Sequence, residues 1–283
     1  MPRTDVDGVS IAYEVVGQGR PWVLTPGGRF SKDYPGVREL AHALADHGNR
    51  VLIWDRPNCG ESEVCFRGDS ESEMQADVLA ALLRKLDLAP AVVIGGSGGA
   101  RVSLLTASRH RDVASALAIW WISGGVFGLL SLAAYYCAPA VPAAWSGDLE
   151  SVTSIPSWQE VFERNPRNRE ILLDQDPKEF IATMDRWMEA YCSCSGELIP
   201  GLPDADARSL DIPALVFRSG ASDPNHPRET SEQLAQLLPN AQLVEPPWPD
   251  TEWLDRARGL WQGFERWPLL APQLAEWANA TLG

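Results

Sequence analysis

The chain has 283 residues, of which 45 % are hydrophobic, and a formal net charge of −14. This length and apolar fraction predict a soluble globular protein with a large core and a smaller appended part. The negative charge argues against nucleic acid or an anionic membrane as a partner, because both bind basic surfaces. We therefore expect a small-molecule substrate and leave a homodimer open. The polar start of the chain lacks a signal-peptide pattern, which predicts a cytoplasmic protein.

The first 110 residues alternate short apolar runs with helix-compatible segments. Such alternation with short connections predicts a mostly parallel sheet covered by helices on both faces. Ser70 is a candidate N-cap for a helix that runs to Leu86, with Glu73 as the reciprocal partner in a capping box. The predicted strands are Ile11–Val16, Trp22–Thr25, Val51–Asp55 and Ala91–Ile94, and the other predicted helices are Glu39–His47 and Arg101–His110.

The rest of the chain interrupts this alternation and then resumes it. Residues 113–137 carry no charge, and their length would permit a membrane span, but a glycine turn at 123–125 favours a buried strand followed by an apolar helix. Residues 126–206 contain helical and proline-punctuated pieces without a strand-like run. Strand and helix patterns return at 213–219, 229–238, 241–244 and 269–280. We predict a core of residues 1–125 and 207–283, interrupted by a helical insertion at 126–206.

The most informative motif is a serine flanked by two glycines on each side. An apolar run ends at Gly95, and Ser97 and Gly99 follow before a helical segment. The pattern Gly-x-Ser-x-Gly in a strand-turn-helix context is typical of an exposed nucleophile, because small neighbours permit a tight turn and an open approach. A dinucleotide-binding turn would need an acidic residue about 20 positions later. The residue there, Leu117, is apolar. A turn serine without chemistry remains an alternative.

The order of motifs resembles that of the α/β-hydrolase superfamily with a cap domain, over nearly the whole chain. Residues 55–62 are a variant of a loop that many members carry, and residues 220–227 are similar to the turn that carries the family's acid, here Asp223. The resemblance implies an oxyanion hole formed by the backbone amides of Gly98 and of Gly28 or Arg29. Such donors stabilise the charge that forms when a serine attacks a carbonyl. Because Pro224 follows Asp223, a simple helix-capping role for that acid is the alternative.

The sequence departs from the family at the histidine. The resemblance places that residue between the last strand and the last helix, at about 245–268, and this interval contains none. His226 follows Asp223 by three residues at the end of a predicted strand, so a compact pair could face Ser97. The other candidate bases are Asp250, Glu265 and Lys32.

Three functions remain open, because a fold does not determine its chemistry. The chain could be a serine hydrolase that acts on a small apolar or aromatic ester, a lactone or an activated carbon–carbon bond through an acyl-enzyme on Ser97. It could also be a lyase or isomerase, or a binding protein without turnover. No metal or organic cofactor is implied. The candidate substrate contacts are the aromatic Trp121, Trp187 and Trp248 and, for an acidic substrate, Arg29, Arg101 and Arg186.

Overall fold

The computed structural model describes residues 2–145, 147–192 and 194–283. Its centre is an eight-stranded sheet. The strands are β1 (Arg3–Val6), β2 (Val9–Gly17), β3 (Arg20–Thr25), β4 (Asn49–Trp54), β5 (Ala91–Gly96), β6 (Ala114–Trp120), β7 (Ala214–Phe217) and β8 (Ala241–Val244). The predicted strands are therefore present. β1 escaped prediction because its four residues, three of them polar, have no apolar run.

The sheet has the strand order β1-β2-β4-β3-β5-β6-β7-β8. β2 pairs antiparallel with β1 and with β4, whereas every pair from β4 to β8 is parallel. The predicted fold class, a mostly parallel sheet with helices on both faces, is confirmed. The chain moves from β3 to one neighbour and later to the other, so the strand order reverses there. In open α/β sheets, ligands bind at the carboxyl ends of strands beside such a reversal.

Helices cover both faces of the sheet, and two separate clusters of buried apolar residues lie beneath them. In the order of the chain, α1 (Val37–Asp46) and α2 (Glu71–Lys85) precede β5, and α3 (Gly98–Arg109) follows it. The helix α10 (Arg228–Leu237) lies between β7 and β8, and α11 (Glu252–Ala257) and α12 (Ala271–Leu282) follow β8.

The N-terminus of α2 confirms one half of the predicted capping box. The Ser70 hydroxyl accepts a hydrogen bond from the Glu73 amide at 3.3 Å. The prediction that the Glu73 carboxylate accepts a hydrogen bond from the Ser70 amide is wrong, because this carboxylate pairs with Arg109 at 2.9 Å instead. A charged partner on α3 therefore replaces the backbone amide that the local pattern predicted.

Short helices fill the interval between β6 and β7. They are α4 (Gly125–Tyr136), α5 (Ala140–Ala144), α6 (Pro156–Arg164), α7 (Arg167–Leu173), α8 (Pro177–Glu189) and α9 (Asp204–Arg208), with a 3-10 helix at Leu149–Ser154. The uncharged stretch forms a strand and then an apolar helix, as predicted. By length and composition alone, Gly125–Ala144 could cross a membrane, and 33 % of its apolar window is buried in this structure. The division into a core and a separate cap at 126–206 stays a prediction.

Candidate active site

The turn between β5 and α3 holds Ser97 in a conformation that few non-glycine residues adopt. Its φ angle is 57°, in the left-handed region, which stores backbone strain of about 1–3 kcal/mol. The surrounding glycines are needed for space. A Cβ on Gly95 would lie 2.5 Å from the Gly99 carbonyl oxygen, and a Cβ on Gly99 would lie 2.0 Å from the Thr25 carbonyl oxygen. The close approach of three backbone segments thus explains the run of small residues.

The Ser97 hydroxyl belongs to a continuous chain of side-chain hydrogen bonds. Its Oγ lies 2.9 Å from Nε2 of His226, and Nδ1 of His226 lies 2.7 Å from Oδ2 of Asp223. The Asp223 and His226 residues are 6 % and 4 % exposed. Since an imidazole with a carboxylate on one nitrogen and a hydroxyl on the other can accept the hydroxyl proton, the geometry suits activation of Ser97.

The loop after β7 brings the acid and the histidine together within three residues. The second carboxylate oxygen of Asp223 accepts hydrogen bonds from the amides of Asn225 at 3.0 Å and His226 at 3.1 Å. These bonds close the turn and hold the carboxylate against the imidazole. Asp223 does not cap α10, which begins after Pro227 without a side-chain cap. The helix-capping alternative for Asp223 is therefore wrong.

Two indoles hold the His226 ring from different sides. Trp121 stacks on it with ring centroids 6.1 Å apart, and Trp253 presents an edge-to-face contact at 5.8 Å. Trp253 belongs to α11, which occupies the interval where the family resemblance placed the histidine. An imidazolium beside aromatic faces gains favourable electrostatic energy. The interval where the resemblance placed the histidine thus packs against a histidine that another loop carries.

The alternative bases lie away from Ser97. Asp250 pairs with Arg228 at the surface, and Glu265 accepts a hydrogen bond from the Gln262 amide at 3.1 Å. The Lys32 ammonium pairs with Asp33 at 2.9 Å and with Asp55 at 3.5 Å. None of the three candidates lines the cavity beside Ser97.

The backbone nitrogen of Gly28 lies close to Gly98. Gly98 is the first residue of α3, and a Cβ built on it would lie 3.6 Å from the Gly28 nitrogen. Neither amide donates a hydrogen bond to an acceptor in the described parts of the chain. Arg56 binds the carbonyl oxygens of Gly27 and Gly28, the first at 3.4 Å. Because C=O and N–H of a trans peptide point in opposite directions, holding the Gly27 carbonyl turns the Gly28 amide away from Arg56.

Ser97 is partly exposed and opens into a cavity of about 310 Å³. This volume is at the lower end of the range for small-molecule pockets, roughly 300–1,000 Å³. The main side chains of its wall are Phe30, Trp121, Tyr135, Trp253, Arg256 and Phe264. Trp121 is one of the aromatic contacts predicted from the sequence, and Tyr135 belongs to the insertion whose aromatic residues predict a hydrophobic substrate group. Phe30 and Phe264 lie in loops, Tyr135 lies on α4, and Trp253 and Arg256 lie on α11, so segments distant in sequence build this wall. Among the described residues, no group of His, Cys, Asp or Glu could hold a metal ion.

Two other predicted aromatic contacts lie outside this wall. Trp248 packs behind Trp121 with ring centroids 5.8 Å apart. Trp187 is fully buried, and its indole N–H donates to the Gly68 carbonyl oxygen at 3.1 Å. The structure therefore does not bring Trp187 to the cavity. Packing of its indole in the core explains why a tryptophan stands at this position.

The predicted cationic contacts are committed to other partners. Arg29 is buried, pairs with Glu71 at 2.8 Å and lies over the Trp158 ring at 3.8 Å. Arg101 is buried and donates to backbone carbonyl oxygens at 3.0 and 2.5 Å. Arg186 pairs with Asp69 at 3.2 Å. Arg29 and Arg101 line a small void of about 10 Å³ rather than the cavity at Ser97. They tie elements of the fold together.

Glu252, on α11, gives the site a pH-dependent contribution to stability. It is 4 % exposed, and burial raises the pKa of its carboxyl group, although Arg256 acts in the opposite direction. An acid whose pKa is higher in the folded state binds its proton better there, so stability falls as the pH rises through that window. We expect Glu252→Gln to gain melting temperature relative to wild type as the pH rises from 4 to 8, because the amide carries no charge that burial penalises.

Thermal melts of the two proteins across pH 4–8 measure the effect. Glu276→Gln, the same change at an exposed position of α12, is the matched control. A variant that is less stable than wild type at pH 8 while equal at pH 4 would contradict the assignment, because it would mean that the charged carboxylate stabilises the fold.

Comparison with known proteins agrees with this architecture. The model of the alpha/beta hydrolase family matches residues 22–257. A candidate non-heme haloperoxidase of Mycobacterium phage D29 is 32 % identical over 104 residues, which span 37 % of this chain and 36 % of that protein. The chain thus aligns with about a third of the length of this curated relative.

Solved structures share the fold at low sequence identity. An enol-lactonase from Burkholderia xenovorans LB400 has a TM-score of 0.56 and 21 % identity, covering 92 % of this chain and 96 % of its own. A thermophilic esterase from Thermogutta terrifontis has a TM-score of 0.59 and 21 % identity, covering 99 % and 97 %. From the family match and the sheet topology, the chain belongs to the alpha/beta hydrolase family.

Proposed function

We propose that the protein is a serine hydrolase that cleaves a small apolar or aromatic ester or lactone through an acyl-enzyme on Ser97. The observation that carries this proposal is the hydrogen-bond chain from Ser97 through His226 to Asp223, with distances of 2.9 and 2.7 Å. A strained serine, a buried acid–imidazole pair and two free amides in one place serve no evident structural purpose together. Strain of this kind concentrates at functional sites.

The reaction begins when the Ser97 oxygen attacks the carbonyl carbon while Nε2 of His226 takes the hydroxyl proton. Asp223 holds the imidazole in orientation and stabilises its positive charge. The carbonyl oxygen becomes an oxyanion, and the amides of Gly28 and Gly98 donate hydrogen bonds to it. Losing one such donor typically costs about 10²- to 10³-fold in rate. The tetrahedral intermediate then expels the alcohol, which receives the proton from His226.

The second half of the reaction hydrolyses the acyl-enzyme. His226 takes a proton from water, and the resulting hydroxide adds to the acyl carbon. When this intermediate collapses, His226 returns the proton to the departing Ser97 oxygen and the carboxylic acid is released. In this proposal the helices of residues 126–206 act as the cap. Leu132, Tyr135 and Tyr136 of α4 line the cavity together with core residues. The names of an esterase and an enol-lactonase among the similar structures are consistent with ester and lactone substrates.

A small substrate panel tests the proposal. The purified protein is assayed with p-nitrophenyl acetate, p-nitrophenyl butyrate and the aryl lactone dihydrocoumarin. We expect saturable turnover of at least one of these, with the acid and p-nitrophenol released in equal amounts from an ester, or a single ring-opened hydroxy acid formed from the lactone. Turnover of none of them above the rate of Ser97→Ala would contradict the proposal and favour a binding protein or a lyase on the same fold.

A further inference from the structure

Among the described residues, Arg256 is the one lysine or arginine that lines the cavity beside Ser97, and its charge partly offsets the effect of burial on the pKa of the Glu252 carboxyl group. Arg256 lines the wall and is partly exposed. In the described parts of the chain, no carboxylate lies within the 4.0 Å ion-pair distance of its guanidinium group, and no hydrogen bond engages its N–H groups. Arg29, Arg101 and Arg186, by contrast, all have partners.

Two aromatic rings hold the Arg256 guanidinium in place. Its Cζ lies 4.2 Å from the Trp253 ring centroid and 4.9 Å from the Trp121 ring centroid. Such contacts orient the planar group and reduce its freedom before a ligand arrives, while leaving its in-plane N–H donors unused. These two indoles are the same ones that contact His226. The cation and the proposed base therefore share a wall of the cavity.

The remaining wall sets the character of the ligand. Phe30, Tyr135 and Phe264 add aromatic surface, and an aromatic cavity that holds a single unpaired cation is complementary to an aromatic acid. A guanidinium binds a carboxylate with two parallel charge-assisted hydrogen bonds. We propose that Arg256 is a substrate-binding residue that receives a free carboxylate, so that the substrates are aromatic esters or lactones with a second, ionised acid group.

This inference rests on the proposed hydrolase function, but its test measures binding without catalysis. The experiment uses Ser97→Ala and follows the tryptophan fluorescence during titration with phenylacetate and, separately, with the uncharged phenylacetamide. Two of the twelve tryptophans, Trp121 and Trp253, line the cavity, so a ligand bound there changes part of the fluorescence signal. We expect phenylacetate to bind about tenfold or more tightly than phenylacetamide.

A second substitution in the Ser97→Ala protein then tests whether Arg256 causes the preference for phenylacetate over phenylacetamide. Adding Arg256→Gln should weaken phenylacetate binding about tenfold while leaving phenylacetamide binding unchanged, and Arg256→Lys should retain part of the affinity. The matched control is Arg258→Gln, which removes the same charge at an exposed position at the end of α11 and should change neither ligand. Circular dichroism checks that each variant is folded.

Several outcomes would overturn the inference. They are equal affinity for the two ligands, no measurable binding of phenylacetate, unchanged affinity in the Arg256→Gln variant, or an equal loss in the Arg258→Gln variant, which would indicate a general charge effect. The proposed hydrolase function can fail separately. In that case the ester panel gives no turnover, whereas phenylacetate still binds through Arg256.

Discussion

Replacing His226 by glutamine should lower kcat for the best ester by about 10⁴- to 10⁶-fold, the loss seen when a base of this type is removed. Glutamine is polar and close in size, but it cannot take the Ser97 proton at neutral pH. The 2.9 Å contact between Ser97 Oγ and His226 Nε2 is the reason for expecting so large an effect. Steady-state kinetics with the wild-type protein and the variant measure it, and KM should change far less than kcat.

The matched control for this substitution is His42→Gln on the exposed side of α1. It makes the same chemical change far from the cavity and should leave kcat within a factor of about two of wild type, as expected for a surface substitution away from the chemistry. If a folded His226→Gln variant kept a kcat within tenfold of wild type, another group would be the base.

Ser97→Ala should remove nearly all ester turnover, by about 10⁴- to 10⁶-fold, because no acyl-enzyme can form. Residual activity over the uncatalysed reaction would come from the cavity and the two amides alone. In the described residues the Ser97 hydroxyl has no hydrogen-bond partner besides His226, and alanine keeps the turn's left-handed φ angle of 57°. The variant should therefore fold with a melting temperature close to that of the wild type.

Ser103→Ala is the matched control, because this buried serine lies on α3 and its hydroxyl has no hydrogen-bond partner in the described residues. It should keep wild-type turnover. A Ser97→Ala variant that hydrolyses the same ester at the wild-type rate would exclude the acyl-enzyme on Ser97. Loss of turnover in both serine variants would point to damage of α3 rather than to chemistry.

Local sequence patterns were sufficient to predict the sheet and the turn that holds Ser97. Alternation of apolar runs and helices reported a parallel sheet, since strands buried on both faces consist of continuous apolar residues. The run around Ser97 was informative because the backbone of β3 and α3 comes so close that only glycine fits at Gly95 and Gly99. Such steric requirements produce a recognisable pattern in the sequence.

Contacts between loops that are distant in sequence produce no comparable pattern. The sequence allowed a pair of Asp223 and His226, but whether it reached Ser97 depended on how the loop after β7 closes. The sequence does not predict Arg256 as a cavity residue, because no local pattern distinguishes an arginine that forms no ion pair. Trp187 is predicted as a substrate contact only because it is aromatic, and the structure buries it in the core instead.

The central claim is that one loop supplies both acid and base to Ser97, and covalent labelling tests it most directly. Wild type, Ser97→Ala and His226→Gln are each incubated with a fluorophosphonate, and the modified residue and the labelling rate are determined by mass spectrometry. We expect the label on Ser97 in the wild type, none in Ser97→Ala, and labelling at least about 10²-fold slower in His226→Gln, since general-base catalysis contributes roughly 10²–10⁴-fold. Labelling of Ser97 at equal rates in wild type and His226→Gln, or no labelling of Ser97 in the wild type, would contradict the claim.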